Sequence, residues 1–457
     1  MTTVPTLSDN NNPFRGLQLS LQFQQDFLGT WERAWRQHGD FFVLEIGGSR
    51  NYTIIHPEHV REVLITHAAH FEKDTSYTDP QYGLARFLGT GLLTSNGEFW
   101  RKQRKLVSPA LHTQRIANYA DTMTRFAVEI SDGWQNGQTK DIAHEMMVLT
   151  LRIVMKSLLN TEVQSEIDTI YKATEALQAG FGTFLPQWVP TPARMSAPQR
   201  LADLNAFIYP LISRRRAENH DQGDLLSMLI DARDDENNGM TDQQVRDEAV
   251  TLFMAGHETT ANTLNWVFTL LAQNPQAEAK LHAELDAVLG GRVPTFSDLR
   301  QLPYTDMVIK ESMRLYPPAW SFGRVALKDV EVAGQTIHKG ENIIVFPYFT
   351  HRHPDLWEQP EAFIPERFNP ENEAKIEKWA YYPFGGGQRV CVGQSFAQME
   401  AILLLATIAS RARLRFKPGH VVQPQALITL FPKGGLPMVI ERRTPQPLHA
   451  GGEHALV

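Results

Sequence analysis

The chain has 457 residues, a formal net charge of −7, and 21% charged against 42% apolar residues. That length and apolar content suffice for a large buried core, and the acidic balance argues against nucleic acid as a partner, which would need a concentrated basic surface. A single cysteine excludes an internal disulfide framework and leaves too few sulfur ligands for a cysteine-rich zinc site.

The first thirteen residues are polar and end at Pro13. They hold neither an apolar span of membrane-crossing length nor the basic and apolar halves of a signal peptide. The expectation is a soluble cytoplasmic protein without a membrane anchor. Residues 41–46 and 52–55 read as strands around Gly47-Gly48-Ser49, and Pro57 opens a helix to Leu64. Helical patterns dominate from about Gly97 to Tyr316, with an interruption at 186–198. In the first of them Trp100 and Arg104 stand four apart on one face, an indole N–H and a guanidinium suited to carboxylates. Arg101, Lys102 and Lys105 point elsewhere, and taken alone they read as a solvated face.

A long helix is predicted over 242–273, with Thr241 and Gln244 as a capping box and Asn274-Pro275 as the stop. Inside it lies Ala255-Gly256-His257-Glu258-Thr259-Thr260, poor helix material because glycine and threonine both weaken a helix interior. A hydroxyl bonding back to a carbonyl would account for a simple kink. The alternative is a functional break in the ladder where water and a small ligand sit. Further on, Glu311 and Arg314 share a helix face, ordinarily a surface ion pair of little consequence. Strands are expected at 330–332, 336–338 and 342–346 and near Leu414, Leu427 and Met438, with a buried helix over 398–409. His351-Arg352-His353 and Asp234-Asp235-Glu236 read as turns rather than metal sites.

Cys391 lies in Phe384-Gly385-Gly386-Gly387-Gln388-Arg389-Val390-Cys391-Val392-Gly393. A lone cysteine is by default a small, inert apolar side chain. Three glycines that permit close approach and a nearby Arg389, expected to favour the thiolate, argue otherwise. No cysteine-nucleophile signature surrounds it, and the remaining reading is a single axial thiolate on a haem iron.

This window resembles the haem-binding signature of the cytochrome P-450 family, F-x-x-G-x-R-x-C-x-G, with Phe384, Gly387, Arg389, Cys391 and Gly393 in register. Glu311-x-x-Arg314 followed by Phe363-Ile364-Pro365-Glu366-Arg367-Phe368 is similar to the family's Glu-Arg-Arg triad, and Ala255-Gly256-x-Glu258-Thr259 to its A-G-x-[DE]-T segment. The resemblance implies a mainly α fold with small β-sheets, one domain over 1–457 with polar tails at about 1–12 and 444–457. It implies haem b (iron protoporphyrin IX) with Cys391 as axial iron ligand, and propionates held by Trp100, Arg104 and Arg389, with Arg324 as a further candidate. Glu311, Arg314 and Arg367 would be structural, while Glu258 and Thr259 would deliver protons to dioxygen.

The expected activity is a monooxygenase that hydroxylates or epoxidises a hydrophobic small molecule: a fatty acid, terpenoid or polycyclic. No region for flavin or nicotinamide is evident, so electrons from NAD(P)H are expected through a separate ferredoxin or flavodoxin and its reductase, docking beside Arg101, Lys102 and Lys105. Two alternatives stand beside this reading. One is a peroxide-driven peroxygenase, against which the intact Glu258-Thr259 pair speaks, and the other is a non-catalytic haem-based ligand sensor. Candidate pocket residues are Ala255, Phe253, Trp320, Phe322, Phe181, Phe184, Leu430 and Phe431.

Overall fold

The computed structural model describes residues 5–8, 18–19, 21–23, 25–46, 49–162, 191–218 and 222–444. Its longer helices are α1 (Phe27–His38), α2 (Gly97–Val107), α3 (Ala120–Asp132), α4 (Ile142–Leu159), α5 (Pro192–Glu218), α6 (Asp242–Gln273), α7 (Pro275–Leu289), α8 (Pro303–Leu315) and α9 (Gln394–Arg411). Thirteen short strands are described: β1 (Thr6–Ser8), β2 (Phe41–Ile46), β3 (Ser49–Ile54), β4 (Phe71–Glu72), β5 (Thr139–Asp141), β6 (Phe322–Ala326), β7 (Val330–Val332), β8 (Gln335–Ile337), β9 (Asn342–Val345), β10 (Ala412–Phe416), β11 (Pro424–Ala426), β12 (Leu430–Pro432) and β13 (Pro437–Arg442). The fold is thus mainly helical with small sheets, as expected.

The largest sheet has the order β1-β2-β3-β9-β6-β4. Its β3 pairs in parallel with β9, Asn51 opposite Asn342, so the chain returns to this sheet after helices α2 to α8. β10-β13-β5 form a second sheet, and β11-β12 and β7-β8 are hairpins. Helix α6 runs where its capping box and Asn274 predict, with the Thr241 hydroxyl and the Gln244 side chain both engaged. It is buried nearly all round, as a helix through the middle of a large core must be. The Gly256–Thr260 segment does not interrupt it, and the hydroxyls of Thr259 and Thr260 bond back to Ala255 O (2.8 Å) and Gly256 O (3.2 Å). The predicted interruption at 186–198 is also shorter than expected on its C-terminal side. α5 begins at Pro192 and carries the exposed Pro198 in its second turn at the loss of one backbone bond.

A buried ion network ties α8 to the loop ahead of the cysteine. Glu311 and Arg314 are both fully buried. Arg314 grips the carboxylate bidentately, Nε to Oε2 at 2.8 Å and Nη2 to Oε1 at 2.9 Å, the strongest geometry open to such a pair. Its remaining donors reach His351 O (2.8 Å), Pro360 O (2.7 Å) and Ala362 O (3.0 Å). Arg367 Nε adds a longer 3.3 Å contact to Glu311 Oε1, and the Ile364 amide donates to the same oxygen. From this network the chain of bonds continues. The buried His351 ring accepts the Tyr382 amide at 2.9 Å, and Tyr382 O accepts the Gly385 amide. Burial and the neighbouring Arg314 push His351 down to about 3, so at neutral pH it is an uncharged structural acceptor.

Removing one partner of a buried pair strands the other charge. Arg314→Ala should therefore cost about 3–5 kcal/mol and Arg367→Ala distinctly less, since Arg367 is partly exposed and makes a single, longer contact to Glu311 beside its bond to Gln359 O. Urea unfolding midpoints check this order. Equal losses would mean that Arg367 holds Glu311 as firmly as Arg314 does.

Candidate active site

A cavity of about 1120 Å³ lies between α6, the cysteine loop, α2, β6 and the tip of the β11-β12 hairpin. Cys391, Phe384, Arg389, Gly393, Trp100, Arg104, Arg324, Glu258, Thr259 and Ala255 all line it. Residues predicted from windows nearly 300 positions apart thus meet around one space.

The loop geometry follows from its glycines. Gly387 adopts φ +65°, and a Cβ there would lie 2.2 Å from Leu64 O, so only glycine fits. Gly387 was expected to touch the cofactor. It is instead outside the cavity wall, used to seat the loop against residues 62–66. The Cys391 amide donates to Phe384 O at 3.0 Å, closing the loop on itself. Cys391 is an exposed residue that lines the cavity. Burial pushes the thiol up, while the Gly393 amide, Arg104 and Lys73 pull it back toward ionisation.

Arg389 therefore plays a different electrostatic part from the one expected. Its guanidinium donates to Ser95 O and Asn96 Oδ1, both at 3.0 Å, and lies 3.7 Å over the Trp100 ring. The cations that act on the sulfur are Arg104, whose Nη1 also holds Val390 O at 2.8 Å, and Lys73. Lys73 escaped the sequence reading because a single lysine after a short strand carries no motif. Together Lys73, Arg104, Arg324 and Arg389 crowd one side of the cavity. Burial pushes all four down, Lys73 well below its usual value and Arg389 to about 9, with Arg324 adding to the depression of both. A buried cluster of like charges is costly unless anions join it. Two carboxylates beside the cations and a metal over the sulfur match this donor set, so the residues present fit a haem with its two propionates.

Much of the remaining wall is apolar, with Leu84, Leu88, Leu92, Leu111, Val154 and Leu158 in it. Among the pocket candidates, Ala255, Trp320 and Phe322 face the cavity, but Phe253, Leu430 and Phe431 do not. Phe253 is two residues from Ala255, about 200° around the helix, and packs on His257 in the core. Leu430 lies past the hairpin turn, in the Trp266/Trp320 cluster, so the cavity is met by Leu427, Ile428 and Thr429 instead. Phe181 and Phe184 lie outside the described residues. His257 is buried and pushed down to about 4 by that burial, and it does not line the cavity.

The basic face on α2 is also altered. Arg101 pairs with Glu98, Lys102 with Asp234 (2.5 Å) and Lys105 with Asp235 (2.6 Å). The acidic turn at 234–236 thus covers charge that the sequence reading left open for a partner. Among the described residues no cluster of three or more metal-binding side chains occurs, and no helix is long and apolar enough to cross a membrane.

Lys73 supplies a test with opposite signs for the two states. Lys73→Met should stabilise the haem-free protein, because a desolvated cation is removed. It should weaken haem retention about tenfold, the scale of one hydrogen bond to a charged group. Thermal unfolding of the haem-free form and transfer of haem to a scavenger measure the two effects. A haem loss rate equal to that of the parent would exclude Lys73 as a propionate partner.

Comparison with known proteins places the chain in a family. The sequence model of the family Cytochrome P450 matches residues 5–435. The chain is 39% identical to "Cyclooctatin synthase" of Streptomyces melanosporofaciens, covering 89% of each chain. It is 38% identical to "Cyclooctat-9-en-7-ol 5-monooxygenase" of the same organism, covering 91% of this chain and 93% of the relative. With "Pentalenene oxygenase" of Streptomyces avermitilis it shares 34% identity over 89% of this chain and 91% of the relative. Among solved structures, the cytochrome P450DA heme domain superposes with a TM-score of 0.87 at 25% identity, covering 97% of this chain and 99% of that one. The chain belongs to the cytochrome P450 family and is an oxidoreductase of the monooxygenase class.

Proposed function

We propose that this enzyme oxygenates a rigid, polycyclic hydrocarbon or its alcohol, of the terpenoid class, with electrons delivered through a separate ferredoxin or flavodoxin and its reductase. The balanced reaction is RH + O₂ + NAD(P)H + H⁺ → ROH + H₂O + NAD(P)⁺. The observation that carries the reading is one large cavity that joins Cys391 and its neighbouring cations to a largely aliphatic wall, with Thr259 and Ala255 also lining it. Such a chamber suits a bulky apolar body. The names of the relatives, an oxygenase of pentalenene and a monooxygenase of an unsaturated cyclic alcohol, support the same class.

Haem, when bound, supplies the redox-active iron at which dioxygen is reduced and cleaved. The chain's own groups do the rest. Cys391 Sγ would supply the sulfur ligand to its iron, ionisation being favoured by the Gly393 amide, Arg104 and Lys73. Trp100, Arg104, Arg324, Arg389 and Lys73 would hold its propionates. The Thr259 hydroxyl, parked on Ala255 O, and the Glu258 carboxyl beside it hold the protons that leave with water. Ala255, one turn away on the same face, leaves room for the substrate.

Reconstitution with a surrogate ferredoxin, its reductase, NADPH and isotopically labelled dioxygen tests the reading. Pentalenene and cyclooctat-9-en-7-ol serve as probes beside a long-chain fatty acid. Labelled oxygen should enter a cyclic probe, and label in the fatty acid alone would exclude the terpenoid class. Thr259→Ala should keep consuming NADPH while product per NADPH falls about tenfold or more, since positioned proton transfer contributes about 10²–10⁴-fold. Unchanged coupling would remove Thr259 from the proton path.

A further inference from the structure

The Glu258 carboxyl is held by a residue from a distant part of the chain. Thr429, at the tip of the β11-β12 hairpin, donates its hydroxyl to Glu258 Oε1. The same hydroxyl oxygen accepts Asn262 Nδ2 at 3.1 Å, and Asn262 Oδ1 in turn accepts Asn265 Nδ2 at 3.3 Å. A threonine hydroxyl has one proton. With Asn262 donating to its oxygen, that proton is directed at the carboxylate. Glu258, Asn262, Asn265 and Trp266 form one stripe on α6, and Trp266 Nε1 fastens the hairpin beside it through Leu430 O at 3.0 Å. On the hairpin's other flank, Trp320 Nε1 holds Leu427 O at 2.9 Å and Pro318 O holds the Leu430 amide at 3.0 Å. The tip is therefore fixed on both sides. Thr429 and Glu258 are both buried, at 6% and 4% exposure, yet both reach the cavity wall.

We infer that Thr429 is a positioning residue for proton delivery: its hydroxyl, oriented by Asn262, sets where the Glu258 carboxyl stands relative to Thr259. Because Leu427 and Ile428 at the same tip line the cavity, the residue that aims the acid is carried by the segment the substrate touches. Substrate fit and proton supply are thereby joined through one short turn. The inference rests on the monooxygenase reading above and adds to it a residue outside the α6 segment.

The test uses the haem-loaded protein and the variants Thr429→Val, which keeps the shape and removes the hydroxyl, and Thr429→Ser, which keeps the hydroxyl. In infrared difference spectra the Glu258 carboxyl band, assigned by its loss in Glu258→Gln, should shift in Thr429→Val and stay in place in Thr429→Ser. With pentalenene as probe, Thr429→Val should lose about tenfold in product per NADPH, the scale of one hydrogen bond to a charged group, while Thr429→Ser retains coupling. In the Glu258→Gln background Thr429→Val should cost nothing further. An unmoved carboxyl band in Thr429→Val, equal defects in the valine and serine variants, or additive defects with Glu258→Gln would each overturn the inference. The carbon-monoxide spectrum separates this from failure of the underlying reading. If the parent shows a thiolate-type band and these results fail, Thr429 alone is misassigned, whereas a parent lacking that band would overturn both.

Discussion

A carboxylate and a guanidinium with no solvent contact stand at the root of the structure. Glu311 and Arg314 lie one turn apart on α8, and burying them is tolerable only because every donor of Arg314 and both carboxylate oxygens find partners. Those partners are mostly backbone carbonyls and an amide from 351–364. The pair therefore fixes an otherwise irregular stretch of chain, and through His351 and Tyr382 it fixes the start of the cysteine loop. A sulfur carried on a loop is placed with the rigidity of a helix.

Around that sulfur the charge distribution is one-sided. Lys73, Arg104, Arg324 and Arg389 cluster in one part of the cavity with Asp74 beside Lys73 and Arg324, while leucines form much of the remaining wall. The protein alone bears the electrostatic cost of this arrangement, visible in the depressed Lys73 and Arg389, and a dianionic cofactor relieves it. Cofactor affinity and apolar substrate space thus come from the same partition. Glu258, Thr259 and Thr429 line the cavity where α6 meets the hairpin tip.

How much of this was legible in the sequence depended on whether a residue's neighbours along the chain are also its neighbours in space. Helix α6 was readable end to end, because its capping box and its Asn-Pro stop are local signals. The cysteine loop and the Glu311/Arg314 pair were readable for the same reason. Lys73 was not, since its importance comes from cations brought by α2, β6 and the cysteine loop. The roles of Gly387 and Arg389 were misjudged where adjacency to Cys391 in sequence was taken for adjacency to the cofactor or to the sulfur. Phe253, Leu430 and Phe431 failed as pocket residues because an aromatic or aliphatic side chain carries no sign of which face of its element is turned inward. Lys102 and Lys105 of the apparent basic face on α2 are paired with Asp234 and Asp235, 130 or more positions away, which no local charge pattern could show.

The account's central claim is that Cys391 meets a haem iron as a thiolate. The carbon-monoxide difference spectrum of the reduced, haem-loaded protein tests it most directly, read for the parent and for Cys391→Ser side by side. Sulfur ligation predicts a strongly red-shifted Soret band in the parent, absent from the serine variant, because an alcohol oxygen does not donate electron density as the softer sulfur does. A parent without that band, or a serine variant that keeps it, would contradict the account.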